Sequence, residues 1–137
     1  LNNGMGVYVV SELIKKMILK GINILESNIL VMGFSFKENC PDLRNTKVVD
    51  IVNGLKEYTK KVDVYDPWCN SFETEKEYGI GLLKEVEIKK YDAVILAVSH
   101  SIFKEEGIKK IHSYMKDNSV LYDLKYLLDK SEVDVRL

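Results

Sequence analysis

The sequence predicts an α/β fold: a parallel sheet with flanking helices, preceded by one further helix. Three observations carry this. Apolar runs such as 28–33 and 93–98 are short and continuous rather than alternating, as in strands covered on both faces. Between them lie segments whose apolar residues recur at three- and four-residue spacing, the period of an amphipathic helix. The two kinds of segment alternate, which calls for parallel strands joined by right-handed crossovers, a Rossmann-like arrangement.

Met5 to Lys20 reads as the leading helix. Val9, Val10, Leu13, Ile14, Met17 and Ile18 fall on one face, as core or subunit interface, and Gly21 suits the stop. The strand at 28–33 follows. Asn45 or Thr46 is the expected cap of a helix that runs to about Tyr58. Val62 to Tyr65 is the second strand, ended by Asp66-Pro67. Ser71 to Tyr78 is a short helix, broken by Gly79 and Gly81, and Leu82-Leu83 reads as a short edge strand. Ala93 to Val98 is the third strand. Phe103 to Met115 is a helix with Ser101 as its expected cap, and Ser119 to Asp123 is the fourth strand. No internal repeat or low-complexity segment interrupts this order.

Composition narrows the function classes. The chain has 137 residues, 46% hydrophobic and 30% charged, enough for one ordinary folded domain. A net charge of −1 gives no global field for nucleic acid or an anionic membrane, so neither is expected as a partner. No apolar run approaches the roughly 20 residues of a membrane span, and no signal peptide is visible. Two cysteines, Cys40 and Cys69, make no disulfide framework, which points to a reducing cytoplasm. Beginning at Leu1, the chain reads as a piece of a longer protein.

Parallel sheets bind ligands at the carboxyl ends of their strands. Four segments lie there: Phe34 to Arg44, Asp66 to Cys69, Ser99 to Ser101, and the residues from Leu124 onward. The first is longer than the usual 2–6 residues of such a crossover. It carries two cations, Lys37 and Arg44, the one a point charge with three donors, the other a planar fork suited to phosphate or carboxylate. Arg44 is expected just before a helix start, where free N–H groups also favour an anion. Two readings stay open: an anion site, or solvated cations paired with Glu38 and Asp42. Gly33 has no second glycine before Gly54, so no dinucleotide fingerprint is present. Without it, Asp66 reads as a turn residue rather than a ribose ligand. His100 reads as a residue that orders the turn before its helix. Cys40 has no base close in sequence, Cys69 reads as an inert packing thiol, and no zinc-ligand spacing exists.

The stretch Phe34-Ser-Phe-Lys-Glu-Asn-Cys-Pro-Asp-Leu-Arg-Asn-Thr46 resembles the signature of the C-terminal, nucleotide-binding domain of the UDP-glucose/GDP-mannose dehydrogenase family. Within it the chain is most similar to the bacterial UDP-N-acetylhexosamine 6-dehydrogenases of surface-polysaccharide synthesis. Asn2 to Met5, Val64 to Pro67, Ala97 to His100, Tyr122 to Lys125 and Val133 to Arg136 fit in order, so the resemblance covers nearly the whole chain. It implies a three-part enzyme. An N-terminal domain binds NAD. A helical middle domain supplies a dimer interface and the catalytic cysteine. The C-terminal domain closes over a UDP-sugar, whose C6 alcohol is oxidised to a carboxylate in two hydride transfers.

On that resemblance, residues 1–24 are the tail of the middle domain and 25–137 the UDP-sugar-binding domain. Phe36 and Lys37 match residues that contact the substrate, and Arg44 one that reaches NAD across the cleft. Arg136 matches an arginine of an Asp-Gly-Arg pattern that approaches a neighbouring subunit's site. Here Val135 stands in the glycine's place, and Lys125-Tyr126 departs from a Lys-Gly pattern. The resemblance further implies a homodimer or higher homo-oligomer, and a fragment inactive by itself because the catalytic cysteine lies elsewhere. The alternatives are a stand-alone nucleotide- or phosphate-binding module, and a domain whose main task is subunit assembly.

Overall fold

A computed structural model describes residues 4–137. The start of the Asn2 to Met5 motif therefore lies outside the described residues. Five strands form one parallel sheet in the order β2-β1-β3-β4-β5. They are β1 (Ile29–Met32), β2 (Val62–Tyr65), β3 (Tyr91–Leu96), β4 (Met115–Asp123) and β5 (Val135–Arg136). The helices are α1 (Met5–Leu19), α2 (Val48–Lys56), α3 (Ser71–Tyr78) and α4 (Ser101–Ser113), with a 3-10 turn at Lys130–Glu132.

The continuous apolar strands are explained by two cores, one on each face. Because successive side chains point to opposite sides, Ile29, Val31, Ala93 and Ile95 join α1 and α2 in one cluster, while Leu30, Met32, Val94 and Leu96 join α4 in the other. α1 buries Val9, Val10, Leu13, Ile14 and Met17. Ile18, expected on the same stripe, is instead 60% exposed, beside Leu19 at 75%. Each fully buried aliphatic side chain contributes about 1.5–3 kcal/mol.

Several boundaries differ from the sequence reading. α2 starts at Val48 with Lys47 at the cap position and no side-chain cap bond. Thr46 does bond the Val48 N–H, at 3.3 Å, but its hydroxyl also donates to the Phe34 carbonyl at 2.6 Å, so it ties the helix start to the crossover loop. Asn45 takes a left-handed backbone (φ 62) and caps nothing. α4 starts at Ser101 with His100 at its cap position, and Gly107, at φ 80, interrupts it. Leu82 makes a single bridge to Val64 rather than a strand. β4 pairs with β3 first at Met115, then loops out through exposed Lys116, Asp117 and Asn118 before pairing again from Val120.

β5 has too few residues to show periodicity. It pairs Val135 with Tyr122 and Arg136 with Asp123. A valine in place of glycine suits this extended backbone. Asp134 fastens the segment, accepting from the Leu121 N–H at 2.8 Å and from Lys20 of α1 at 2.8 Å.

Candidate functional site

The chain runs from β1 out to β2 and returns to β3 on the other side of β1. That change of direction opens a crevice at the carboxyl ends of β1 and β3, where parallel sheets take ligands. A cleft of about 310 Å³ lies there. Its walls are the loop after β1 (residues 35–38), the start of α2 (45–48), Ala97 and Val98 beyond β3, and Lys125 beyond β4.

The loop is built to hold its shape. The Gly33 N–H donates to the Tyr65 carbonyl at 2.8 Å and the Phe36 N–H to the Asp42 carbonyl at 2.8 Å. Asp66, buried at the end of β2, is the anchor. Its Oδ2 accepts from the N–H groups of Phe34 (2.6 Å) and Ser35 (3.0 Å), and lies 2.9 Å from His100 Nε2. Its Oδ1 accepts from the Trp68 N–H at 2.8 Å, the expected turn role. Burial pushes the Asp66 carboxyl up, but the bonds from His100 and from the Phe34 and Ser35 amides outweigh it and hold the group below its ordinary value. With both oxygens engaged, Asp66 is not a ribose ligand.

The same bonds decide what this loop can hold. A dinucleotide fingerprint offers free backbone N–H groups to a pyrophosphate. Here the amides of Phe34, Ser35 and Phe36 are all bonded to protein. The loop after β1 therefore does not fit NAD as a pyrophosphate cradle. What the cleft offers is side chains: Lys37, Lys47 and Lys125 face it, with Glu38 as its one acidic wall residue. None of the three lysines is in an ion pair among the described residues. Sequence reasoning passed over Lys47, and met Lys125 only as the end of the Tyr122 to Lys125 motif, not as a site residue. Apart from that motif their signal is position, one at a helix start and one just past a strand end.

Of the four sequence-derived site residues, the structure brings Phe36 and Lys37 together on the cleft wall. Arg44 lies apart, on a separate hollow with Pro41, Phe72 and Tyr78. It is not at a helix start, since Asn45, Thr46 and Lys47 precede α2. Its guanidinium is bidentate on Asp42, at 3.1 and 3.0 Å, with the side chain 87% exposed. That pair holds the Asp42 carboxyl below its ordinary value. The solvated-pair reading thus describes Arg44 in this state, whereas Lys37 has no such partner. Arg136 stands on β5 with its guanidinium carbon 4.1 Å above the Tyr126 ring. The left-handed backbone falls at Tyr126 (φ 54) rather than at Val135.

Cys40 and Cys69 are both half-buried and free. Burial, reinforced by the Asp66 carboxylate, pushes the Cys69 thiol up and keeps it protonated. No cluster of three metal-ligating side chains occurs among the described residues.

A sequence profile of the UDP-glucose/GDP-mannose dehydrogenase family, UDP binding domain, matches residues 30–130. Over all 137 residues the chain is 52% identical to the UDP-N-acetyl-D-glucosamine 6-dehydrogenase of Salmonella typhi and 53% identical to that of Pseudomonas aeruginosa. It spans 32% of the length of each. The fold is shared with the solved UDP-D-ManNAc dehydrogenase of Pyrococcus horikoshii, with a TM-score of 0.77 at 22% identity over 98% of this chain and 31% of that one. The profile match runs from β1 through every wall of the cleft to the 3-10 turn, and the chain belongs to the UDP-glucose/GDP-mannose dehydrogenase family.

Proposed function

We propose that this chain is the UDP-sugar-binding part of an NAD-dependent nucleotide-sugar 6-dehydrogenase, which oxidises a sugar C6 alcohol to a carboxylate for polysaccharide synthesis. The observation that carries the proposal is the lysine-lined cleft at the switch point, inside the region that matches the UDP-binding domain. Residues 25–137 form the binding domain, and residues 1–24 continue a preceding helical domain. The Lys37 ammonium donates to a phosphate or sugar hydroxyl, and Phe36, half exposed on the wall, shields one side of the ligand. Arg44 offers its fork to NAD held mainly by another domain, giving up its bond to Asp42. Arg136 approaches a neighbouring subunit's site. NAD, when bound, accepts the hydride. The catalytic cysteine, a nucleophile, lies outside this chain, which forms no NADH alone.

A homodimer or higher homo-oligomer is part of the proposal. α1 turns Val7, Ile18 and Leu19 outward, 75%, 60% and 75% exposed, the apolar surface for a subunit contact. No helix among the described residues is long and apolar enough to cross a membrane. We place the enzyme in the cytoplasm.

The test separates the two cations. In the full-length enzyme, Lys37→Ala is expected to damage use of the UDP-sugar and Arg44→Ala use of NAD. Loss of one charged hydrogen bond costs roughly 1.5–3 kcal/mol, about 10- to 150-fold in kcat/KM. Arg44→Ala belongs at the low end, because the bond to Asp42 must break before the fork reaches a ligand. Steady-state kinetics with each substrate varied in turn decides. Equal losses on both substrates for both variants mean a common loop-ordering role; wild-type kinetics for both removes the loop from the site.

A further inference from the structure

We propose that His100 is a positioning residue for the cleft, fixing the segment that carries Phe36 and Lys37 through its Nδ1 atom. This rests on the reading of the cleft as the UDP site. His100 is 0% exposed and does not itself line that cleft, though its Nε2 also lies 3.4 Å from the hydroxyl of Ser35, which does. Its Nδ1 lies 2.9 Å from the backbone nitrogen of Asn39. A backbone N–H only donates, so Nδ1 accepts and carries no proton. The ring proton is then on Nε2, which donates to Asp66 Oδ2 at 2.9 Å. One tautomer satisfies both bonds. The ring is held edge-on by Phe103, with centroids 5.3 Å apart, and is covered by Trp68 at 6.1 Å.

These two bonds join the two ends of one short segment. Asp66 holds the N–H of Ser35 at one end, and His100 holds the N–H of Asn39 at the other. Between them stand Phe36, Lys37 and Glu38, the loop wall of the cleft. Asn39 is kept in a left-handed backbone (φ 53), its side chain exchanging bonds with Ser101 at 2.7 and 2.9 Å. Such a conformation persists only where the surroundings over-determine it. His100, at the cap position of α4, therefore transmits the placement of β2 and α4 to the Lys37 loop.

Two substitutions divide the ring into its halves. His100→Asn keeps an acceptor near the Nδ1 position and loses the donor to Asp66. His100→Gln keeps a donor near the Nε2 position and loses the acceptor for Asn39. Both leave similar empty space, so a merely structural histidine suffers equally from either. For the whole chain titrated with UDP, His100→Gln is expected to weaken binding about tenfold, the effect of one lost hydrogen bond. His100→Asn is expected to stay within about threefold of the wild type by the same measure. Exchange of the Asn39 amide should accelerate in His100→Gln and remain slow in His100→Asn. Equal weakening in both variants, or none in either, overturns the proposal.

If the wild-type chain binds no UDP, the reading of the cleft fails, and Asn39 exchange in the two variants still decides on the clamp; equal exchange overturns it. Should neither variant fold, imidazole nitrogen NMR of the wild type decides. The Nε2–H tautomer, with an Nδ1 signal that moves on addition of UDP, supports the proposal. An Nδ1–H tautomer, or signals indifferent to bound UDP, overturns it.

Discussion

Gly33→Ala is expected to remove much of the stability of this chain. Gly33 ends β1 at φ +95, a backbone that costs an L side chain roughly 1–2 kcal/mol. A methyl group there would sit 2.6 Å from Val98 Cβ and 2.8 Å from the Val98 backbone nitrogen. The backbone cannot withdraw easily. The Ala97 N–H bonds the Met32 carbonyl at 2.9 Å, and the Gly33 N–H bonds Tyr65 at 2.8 Å. Overpacking of this kind costs another 1–3 kcal/mol. The sum, about 2–5 kcal/mol, stands against a typical total of about 5–15. Gly79→Ala is the control: φ is +69 there too, but nothing lies within 4 Å of the added methyl. Urea unfolding of both variants checks the argument. A Gly33→Ala loss no larger than that of Gly79→Ala contradicts it.

Asp66→Asn is expected to cost about 2–4 kcal/mol at neutral pH, although the two side chains have nearly the same shape. The carboxylate accepts from the N–H groups of Phe34, Ser35 and Trp68 and from His100. An amide turns one acceptor oxygen into a donor, so at least one buried N–H loses its partner. The pH dependence has a definite sign. The folded carboxyl lies below its ordinary value, so its stabilisation is fully present above the unfolded value, about 3.9, and is lost as pH falls through the folded one. The gap between wild type and Asp66→Asn should therefore narrow below about pH 4. A gap that stays constant down to the acid limit of folding means that Asp66 does not act through its charge.

The sheet was legible because its central strands β1 and β3 are buried on both faces and so read as largely unbroken apolar runs. Val62 to Tyr65 and Ser71 to Tyr78 match their elements, the one between turn signals, the other stopped at Gly79. β5 was invisible, since two residues carry no period and the segment is fastened by Asp134 bonding Leu121 of β4 and, far earlier in the chain, Lys20. Lys37 was found from the length and charge of its loop. Lys47 was not, and Lys125 entered only as the end of a short motif, because a lysine beside a helix start or a strand end does not by itself mark a site and only the fold brings the three to one cleft. The link from Asp66 through His100 to Asn39 was equally hidden. Its members come from three separate crossovers, and each alone resembles an ordinary turn residue.

The central claim is that the cleft between the loop after β1 and the start of α2 takes UDP. A titration of the isolated chain with UDP, followed by amide NMR, tests it most directly. One domain leaves the nucleotide partly in solvent, so weak binding is expected, with a Kd near ~1 mM. The account predicts shifts concentrated at residues 35–38, 45–48, 97–98 and 125. Shifts confined to the opposite end of the sheet, around Lys20, Lys89 and Lys116, would contradict it, as would no shifts at all at several millimolar UDP.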